Sequence, residues 1–474
     1  MTFFKTLIAS ASSLTIAACA TVGPDYAAPA NDGFAPSALQ TDDAIVAQAD
    51  EPAHTWWLAL NDETLNRLVE TAFDENRDLR QAAANVEAAR AAFRLENVNL
   101  RPQGELGADY QRRRLAGAAF GLEDTTFPDT DFFDVGASAE WELDFFGRVR
   151  RGTEAAFAEL GGAEAVRRDA QVLVAAETVR AYTDYRGAAL QLDVAQENLR
   201  VQTDTLRLTK TRLEEGLGSA LDVARAEAQA HTTEASIPPL ESASIASANR
   251  LATLTGQPVA DVQAILAENA DFPAPPNALA IGDVSSLIDR RADIRAAERT
   301  LAAATARIGI AKAEYFPRIT LVGAVSASAQ TLSGLGDQGA FGYGVGPSLS
   351  WAGFDLPRVK AQVKAAGVRA EAAYADYEQT VLTALEETQT ALAVYGREKV
   401  RFDALEQAPA QARRAADLAR TRYDGGVADF LAVLDAEARQ LSAEAALAES
   451  RTAVTRSFAD VHHALGAGGA PNPM

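Results

Sequence analysis

The sequence predicts a mainly α-helical, internally duplicated fold carrying four β-strands long enough to cross a bilayer, and three observations carry that prediction. From Phe132 to Arg151, FFDVGASAEWELDFFGRVRR, a strict two-residue alternation gives way to helix-type sequence. Phe133, Val135, Ala137, Ala139, Trp141 and Leu143 are apolar. Asp134, Gly136, Ser138, Glu140, Glu142 and Asp144 between them are polar or lack a side chain, which describes a strand with one apolar and one wet face. From Arg148 the chain is rich in Ala, Glu, Arg and Leu and free of proline for about sixty residues, a single very long helix. The whole arrangement recurs: Trp141, Arg148 and Val149 reappear 210 positions later as Trp351, Arg358 and Val359.

A chain of 474 residues exceeds one ordinary core, and the repeat favours two related halves. The formal charge of -21, from 65 acidic against 44 basic residues, disfavours nucleic acid and anionic lipid surfaces as partners. Residues 1–18 carry one positive charge, Lys5, then an apolar run and small residues, as a secretory signal does. Ile16-Ala17-Ala18-Cys19 resembles a bacterial lipobox, with Cys19 as the lipidated mature N-terminus; the competing reading is an ordinary signal peptide with an incidental cysteine. No other stretch of about twenty apolar residues could span as a helix, so a membrane crossing would need strands.

The segment 19–60 is rich in Pro, Ala and Asp and reads as an extended tether, with Trp56 and Trp57 as packing anchors. The first repeat, 61–256, opens with a helix capped near Asn61 or Asp62 and running, with a break, to Leu100. Gly104 to Arg113 alternates again, a loop covers Arg114 to Thr130, and the opening strand follows. A linker, 257–284, joins the halves. The second repeat, 285–465, supplies the matching hairpin, Ile319 to Ala327 and Phe341 to Trp351, and residues 466–474 form a flexible glycine-rich tail. Soluble half-buried hairpins remain the alternative to spanning ones at this point.

If the strands span, one chain cannot suffice. Four strands leave edges unpaired in hydrocarbon, and about eight is the smallest closed barrel. The helices fit the same geometry: Arg150 to Glu215 spans roughly 100 Å at 1.5 Å per residue. Along it Leu192, Leu199, Leu206 and Leu213 form one seven-residue series, and Val194, Val201 and Leu208 another on nearly the opposite flank, so the helix has a neighbour on each side. The second copy repeats the step through Tyr374, Val381, Thr388, Tyr395 and Phe402, with a kink expected at Pro409; Pro238 and Pro239 should interrupt the first returning helix. Both long helices stop at equivalent turns: Gly216 and Gly426 suit left-handed C-caps, and Ser219 and Asp429 can cap the returning helices.

At this point the residues resemble a TolC-type outer-membrane factor of the efflux lipoprotein branch, similar to OprM and NodT. The resemblance rests on Trp56-Trp57, Asn61-Asp62 and Leu65, Asn76-Arg77-Asp78-Leu79, Pro102 and Pro317, Asp144-Phe145-Phe146-Gly147-Arg148 and the two glycine turns. It implies a homotrimer whose twelve strands form one barrel continuous with a helical tube. It further implies passive export from an inner-membrane pump through a periplasmic adaptor, and a lipid-anchored place in the Gram-negative outer membrane. By the same resemblance the adaptor would contact Arg212, Gly216, Ser219, Leu221, Arg422, Gly426 and Leu431, and Asp424, Asp429 and Phe430 are the gate candidates.

Catalytic chemistry is not indicated. His54, His231, His462 and His463 show no metal spacing, the last pair reads as a solvated helix end, and no cofactor is expected. Gly334-Leu335-Gly336-Asp337-Gln338-Gly339 fits GxGxxG but precedes a strand, so it reads as a barrel loop rather than a dinucleotide site. The rival class is a periplasmic coiled-coil lipoprotein scaffold without a pore.

Overall fold

A computed structural model describes residues 21–30, 46–48, 53–116, 121, 126–268, 271–282 and 284–469. The expected signal peptide and Cys19 lie outside the described residues. The elements are, in chain order, β1 (Val46–Gln48), α1 (Glu63–Glu75), α2 (Arg77–Val98), β2 (Gln103–Arg113), β3 (Thr130–Glu142), α3 (Arg148–Glu214), α4 (Ala220–Thr255) and α5 (Val259–Leu266). They continue with β4 (Ala278–Ala280), α6 (Val284–Arg290), α7 (Ala292–Ala313), β5 (Arg318–Ala329), β6 (Phe341–Ser350), α8 (Leu356–Leu405), α9 (Ala408–Asp424) and α10 (Phe430–Ala464). Two compact units result, and each draws on both sequence repeats.

The first unit comprises Met1–Pro29, Asn85–Ala163 and Ala296–Glu378. Its centre is an antiparallel sheet in the order β2-β3-β5-β6. The register places Leu106 opposite Ala137, Ala137 opposite Val325 and Val325 opposite Tyr343, so the apolar residues of all four strands share one face. Glu105, Ser138 and Ala324 lie in register on the other. The apolar face is not covered: Leu106, Tyr343, Val345 and Leu349 are all exposed. The duplication is visible in single hydrogen bonds. The Trp141 indole donates to the Leu100 carbonyl at 3.1 Å, and the Trp351 indole donates to the Tyr315 carbonyl at 3.0 Å.

The described start of the tether, 21–30, is held against this unit. The Val22 amide donates to the Phe146 carbonyl at 3.1 Å. Arg151, 3% exposed, reaches Asp25 at 2.6 Å, the Val22 carbonyl at 3.3 Å and Glu154 at 2.7 Å. The Tyr26 hydroxyl donates to Glu298. Gly23, at φ +102°, sits so close to α7 that a Cβ there would lie 2.5 Å from the Gly309 Cα.

The second unit comprises Ala30–Ala84, Glu164–Arg295 and Gln379–Met474. Trp56 and Trp57 anchor its core with Leu65, Leu68, Val179, Tyr182, Leu251, Leu392 and Phe458. Asp62 caps α1 by accepting from the Leu65 amide at 2.9 Å, and its other oxygen accepts from the buried Tyr182 hydroxyl at 2.6 Å. Asn76 makes the expected break: its side-chain oxygen accepts from the Asp78 and Leu79 amides, and its amide donates to the Leu254 carbonyl. The linker region is more structured than the composition suggests, because it forms α5, which buries Val262 and Leu266, and β4, which pairs in parallel with β1.

Three expectations are corrected here. Pro238 and Pro239 do not interrupt α4, which runs unbroken from Ala220 to Thr255. Both prolines face solvent, where water can satisfy the carbonyls that lose their donors. His462 is not solvated: it is 4% exposed, stacked on Trp56 at 4.7 Å and edge-on to Phe458. Burial and the Arg290 guanidinium push its imidazole down to about 3, so it is neutral near pH 7. The glycine-rich tail begins packed, with Ala467 buried and Gly468 against the Trp56 ring. The expected kink at Pro409 takes the form of a full break, α8 ending at Leu405 and α9 starting at Ala408. Pro409 is then the second helical residue, where its missing N–H costs nothing.

Candidate functional site in the paired helical turns

Each long helix ends in the same backbone device. In the first turn the Leu217 amide donates to the Arg212 carbonyl at 2.7 Å and the Gly216 amide to the Leu213 carbonyl at 3.0 Å. In the second, Val427 donates to Arg422 at 2.9 Å and Gly426 to Tyr423 at 2.9 Å. Both are Schellman closures, which need a left-handed residue, and Gly216 and Gly426 sit at φ +75° and +73°. The returning helices are capped alike: the Ser219 hydroxyl accepts from the Asp222 amide at 3.2 Å, and Asp429 accepts from the Ala432 amide at 3.0 Å. The same apolar pair is left facing out twice, Leu217 and Leu221 at 69% and 56%, Val427 and Leu431 at 68% and 52%.

The turns are joined rather than merely similar. Ala226, Tyr423, Phe430 and Val433 form a buried cluster with Leu206 beside it. The Arg212 guanidinium lies 4.4 Å from the centre of the Tyr423 ring and donates to the Tyr423 carbonyl at 3.3 Å. Arg212 therefore staples one turn to the other, whereas Arg422, Ser219, Leu221 and Leu431 are exposed. Among the gate candidates, Asp424 and Asp429 are exposed and Phe430 is 2% exposed, packed on Tyr423 at 5.3 Å. The Phe430 ring is enclosed within the protomer by Ala226, Tyr423 and Val433.

Next to the turns lies a feature that sequence reading missed. Glu444, 9% exposed, accepts from Asn198 at 2.8 Å and from Arg413 at 2.7 Å. Glu437, 2% exposed, accepts from Thr205 at 3.0 Å and from Arg420 at 2.8 Å. Each rung joins α3, α9 and α10, and the second repeats the first seven residues along every helix. The charges are tolerable because each buried carboxylate has an arginine and a neutral donor. A seven-residue spacing of Asn198 and Thr205 between the two apolar series was the available signal; it was masked because polar residues ordinarily mark solvent. Such a ladder fixes the register of three helices and has no nucleophile or base poised for chemistry.

Among the described residues no group of three or more His, Cys, Asp or Glu could hold a metal ion, and no helix is long and apolar enough to cross a membrane.

The chain matches the family model described as outer membrane efflux protein over residues 68–257 and 284–467. It is 33% identical to outer membrane protein OprJ of Pseudomonas aeruginosa, covering 96% of this chain and 94% of that one. Nodulation protein T of Rhizobium leguminosarum bv. trifolii is 31% identical, with 96% of each chain covered. Among solved structures, the outer-membrane channel OprN superposes with a TM-score of 0.86 at 39% identity, over 95% of this chain and 99% of that chain. The open state of the MtrE outer membrane channel of Neisseria gonorrhoeae gives 0.81 at 28%, over 95% and 98%.

Proposed function

The chain belongs to the outer membrane efflux protein family, and from that premise we propose that three copies close one barrel and pass cargo outward for an inner-membrane pump reached through a periplasmic adaptor. It is an outer-membrane efflux channel with the TolC-like fold, and its relatives are channels rather than enzymes. The observation that carries the assembly is the four-stranded sheet, whose strands of 10 to 13 residues have one apolar exposed face and whose edges, β2 and β6, pair with no other strand among the described residues. In hydrocarbon such edges must be paired, and copies of the same chain supply the partners.

Acylation at Cys19 adds an anchor to the barrel. Thr21, the first described residue, packs on Gly147 at the strand-to-helix junction. The junction then marks the inner rim of the outer membrane. The division into a signal, two repeats and a linker fits a mature chain beginning at Cys19. Ser219, Leu221, Arg422 and Leu431 offer the adaptor an exposed surface on a turn whose backbone is fixed by Gly216, Gly426 and Arg212. Asp424 and Asp429, brought together by threefold symmetry, supply the negative constriction.

Purified protein should run as heat-modifiable, detergent-dependent trimers, and a cysteine placed at Ser219 should crosslink in cells to a periplasmic adaptor. Detergent-free monomers would favour the scaffold reading instead.

A further inference from the structure

The two hairpins of the sheet are copies, and the copying is faithful on one face only. Leu106 corresponds to Leu321, Phe133 to Tyr343, Val135 to Val345 and Ala139 to Leu349, so the apolar face is kept. On the opposite face Glu105 corresponds to Thr320, Asp109 to Ala324, Asp134 to Gly344 and Glu140 to Ser350, so every carboxylate of the first hairpin has a neutral counterpart in the second. Strand pairing and lipid contact do not require these acids, because the second hairpin forms the same ladder without them.

The acids are carried at a cost. Asp109 and Asp134 are direct cross-strand neighbours, an arrangement of like charges that weakens a sheet. Asp134 accepts from the Ser328 hydroxyl at 2.5 Å, and among the described residues no lysine or arginine pairs with Glu105, Asp109, Asp134 or Glu140. Glu142, at the junction end, differs: Arg148 holds it with two hydrogen bonds, at 2.9 and 2.5 Å. The cations on this face sit at its ends, Arg113 over the Phe132 ring and Arg318 bound to Glu314.

Resting on the channel reading, where this face lines the bore, we infer that the first hairpin is the charge-selecting stave of the barrel and the second a neutral one. Four unpaired carboxylates per protomer raise the local concentration of cations and cationic solutes and lower that of anions, independently of Asp424 and Asp429 at the turns. One unit charge about 10 Å from the path shifts an ion's local concentration by about twofold in water, and salt screens it over about 3 Å at 1 M against about 30 Å at 0.01 M.

The test is the reversal potential of the full-length protein in planar bilayers under a KCl gradient. The variant Glu105→Gln/Asp109→Asn/Asp134→Asn/Glu140→Gln should lower the potassium-to-chloride permeability ratio by about threefold or more in dilute salt, with a smaller change in concentrated salt. Adding carboxylates to the neutral stave with Thr320→Glu and Gly344→Asp should raise the ratio. Conducting variants of both kinds with an unchanged ratio, or a ratio that moves only with Asp424→Asn/Asp429→Asn, would overturn the inference while leaving the channel reading intact. A wild-type protein that folds as a trimer and never conducts would overturn the channel reading and the inference together.

Discussion

At the first strand-to-helix junction Arg151 is buried and gathers Asp25, Glu154 and two backbone carbonyls, whereas at the second its counterpart, Ala361, is exposed and gathers nothing. Four residues earlier the two junctions also part, Gly147 lying against Thr21 and Pro357 standing second in α8. Yet Val149 and Val359 are equally buried, and Trp141 and Trp351 make equivalent hydrogen bonds. What both repeats share is what a strand needs to turn into a helix. What only one has is the docking of the N-terminal segment, and the charge on its hairpin follows the same division.

That division can be broken most directly on the shared apolar face. Val135→Arg and Val345→Arg should each destabilise the assembled barrel by about 2–4 kcal/mol, since both place a cation against hydrocarbon, while Ser138→Arg and Ser348→Arg on the other face should be tolerated. Heat-modifiability on gels reports the difference, and equal tolerance on both faces would remove the spanning assignment.

The helical ends offer a second contrast, because buried His462 corresponds to buried Ala252 in the first repeat. The folded imidazole is depressed to about 3, so its neutral form contributes full stability above the unfolded value near 6.5. Stability is then lost as pH falls from there toward 3, at about 1.4 kcal/mol per pH unit, or about 3 kcal/mol by pH 4. Urea unfolding of wild type and His462→Leu across this range should show the variant losing less.

Arg151→Ala should cost about 2 kcal/mol and free the N-terminal segment to proteases, while Arg358→Ala, an exposed pair with Asp355, should cost under about 0.5 kcal/mol. A similar loss at both would mean that the strap does not distinguish the junctions. The smallest expected effect sharpens the likeness: Gly216→Ala and Gly426→Ala meet no atoms within 4 Å, so each should cost only about 1 kcal/mol from its positive φ. Unequal melting shifts would show that the two turns bear different loads.

Strands, long helices and glycine turns were legible because their signals are local: alternation, proline-free runs and a left-handed cap. The misreadings turn on burial, which local sequence does not display. His462 occupies the last turn of its helix, where a histidine ordinarily meets water, and its burial depends on Trp56, some four hundred residues earlier in sequence. Phe430 follows the exposed Asp429 cap, yet Tyr423, Val433 and Ala226 of the first repeat enclose it. The prolines of α4 would break a buried helix and are harmless on a solvated face. The Glu437 and Glu444 ladder leaves only the Asn198 and Thr205 spacing as a local trace, since its partners come from helices in both repeats.

The pairing of β3 with β5 has a consequence for biosynthesis. Trp141 sits opposite Leu321, about 180 residues later, so this ladder closes a very long loop and is intrinsically slow to form. A chain leaving the ribosome and the inner membrane N-terminus first exposes the hairpin of β2 and β3 well before its neighbour exists. During that interval it presents a bare strand edge and an apolar face to water, the combination most prone to aggregate. A chain truncated before Arg318 should therefore aggregate faster than the full-length chain on dilution from urea, measured by light scattering.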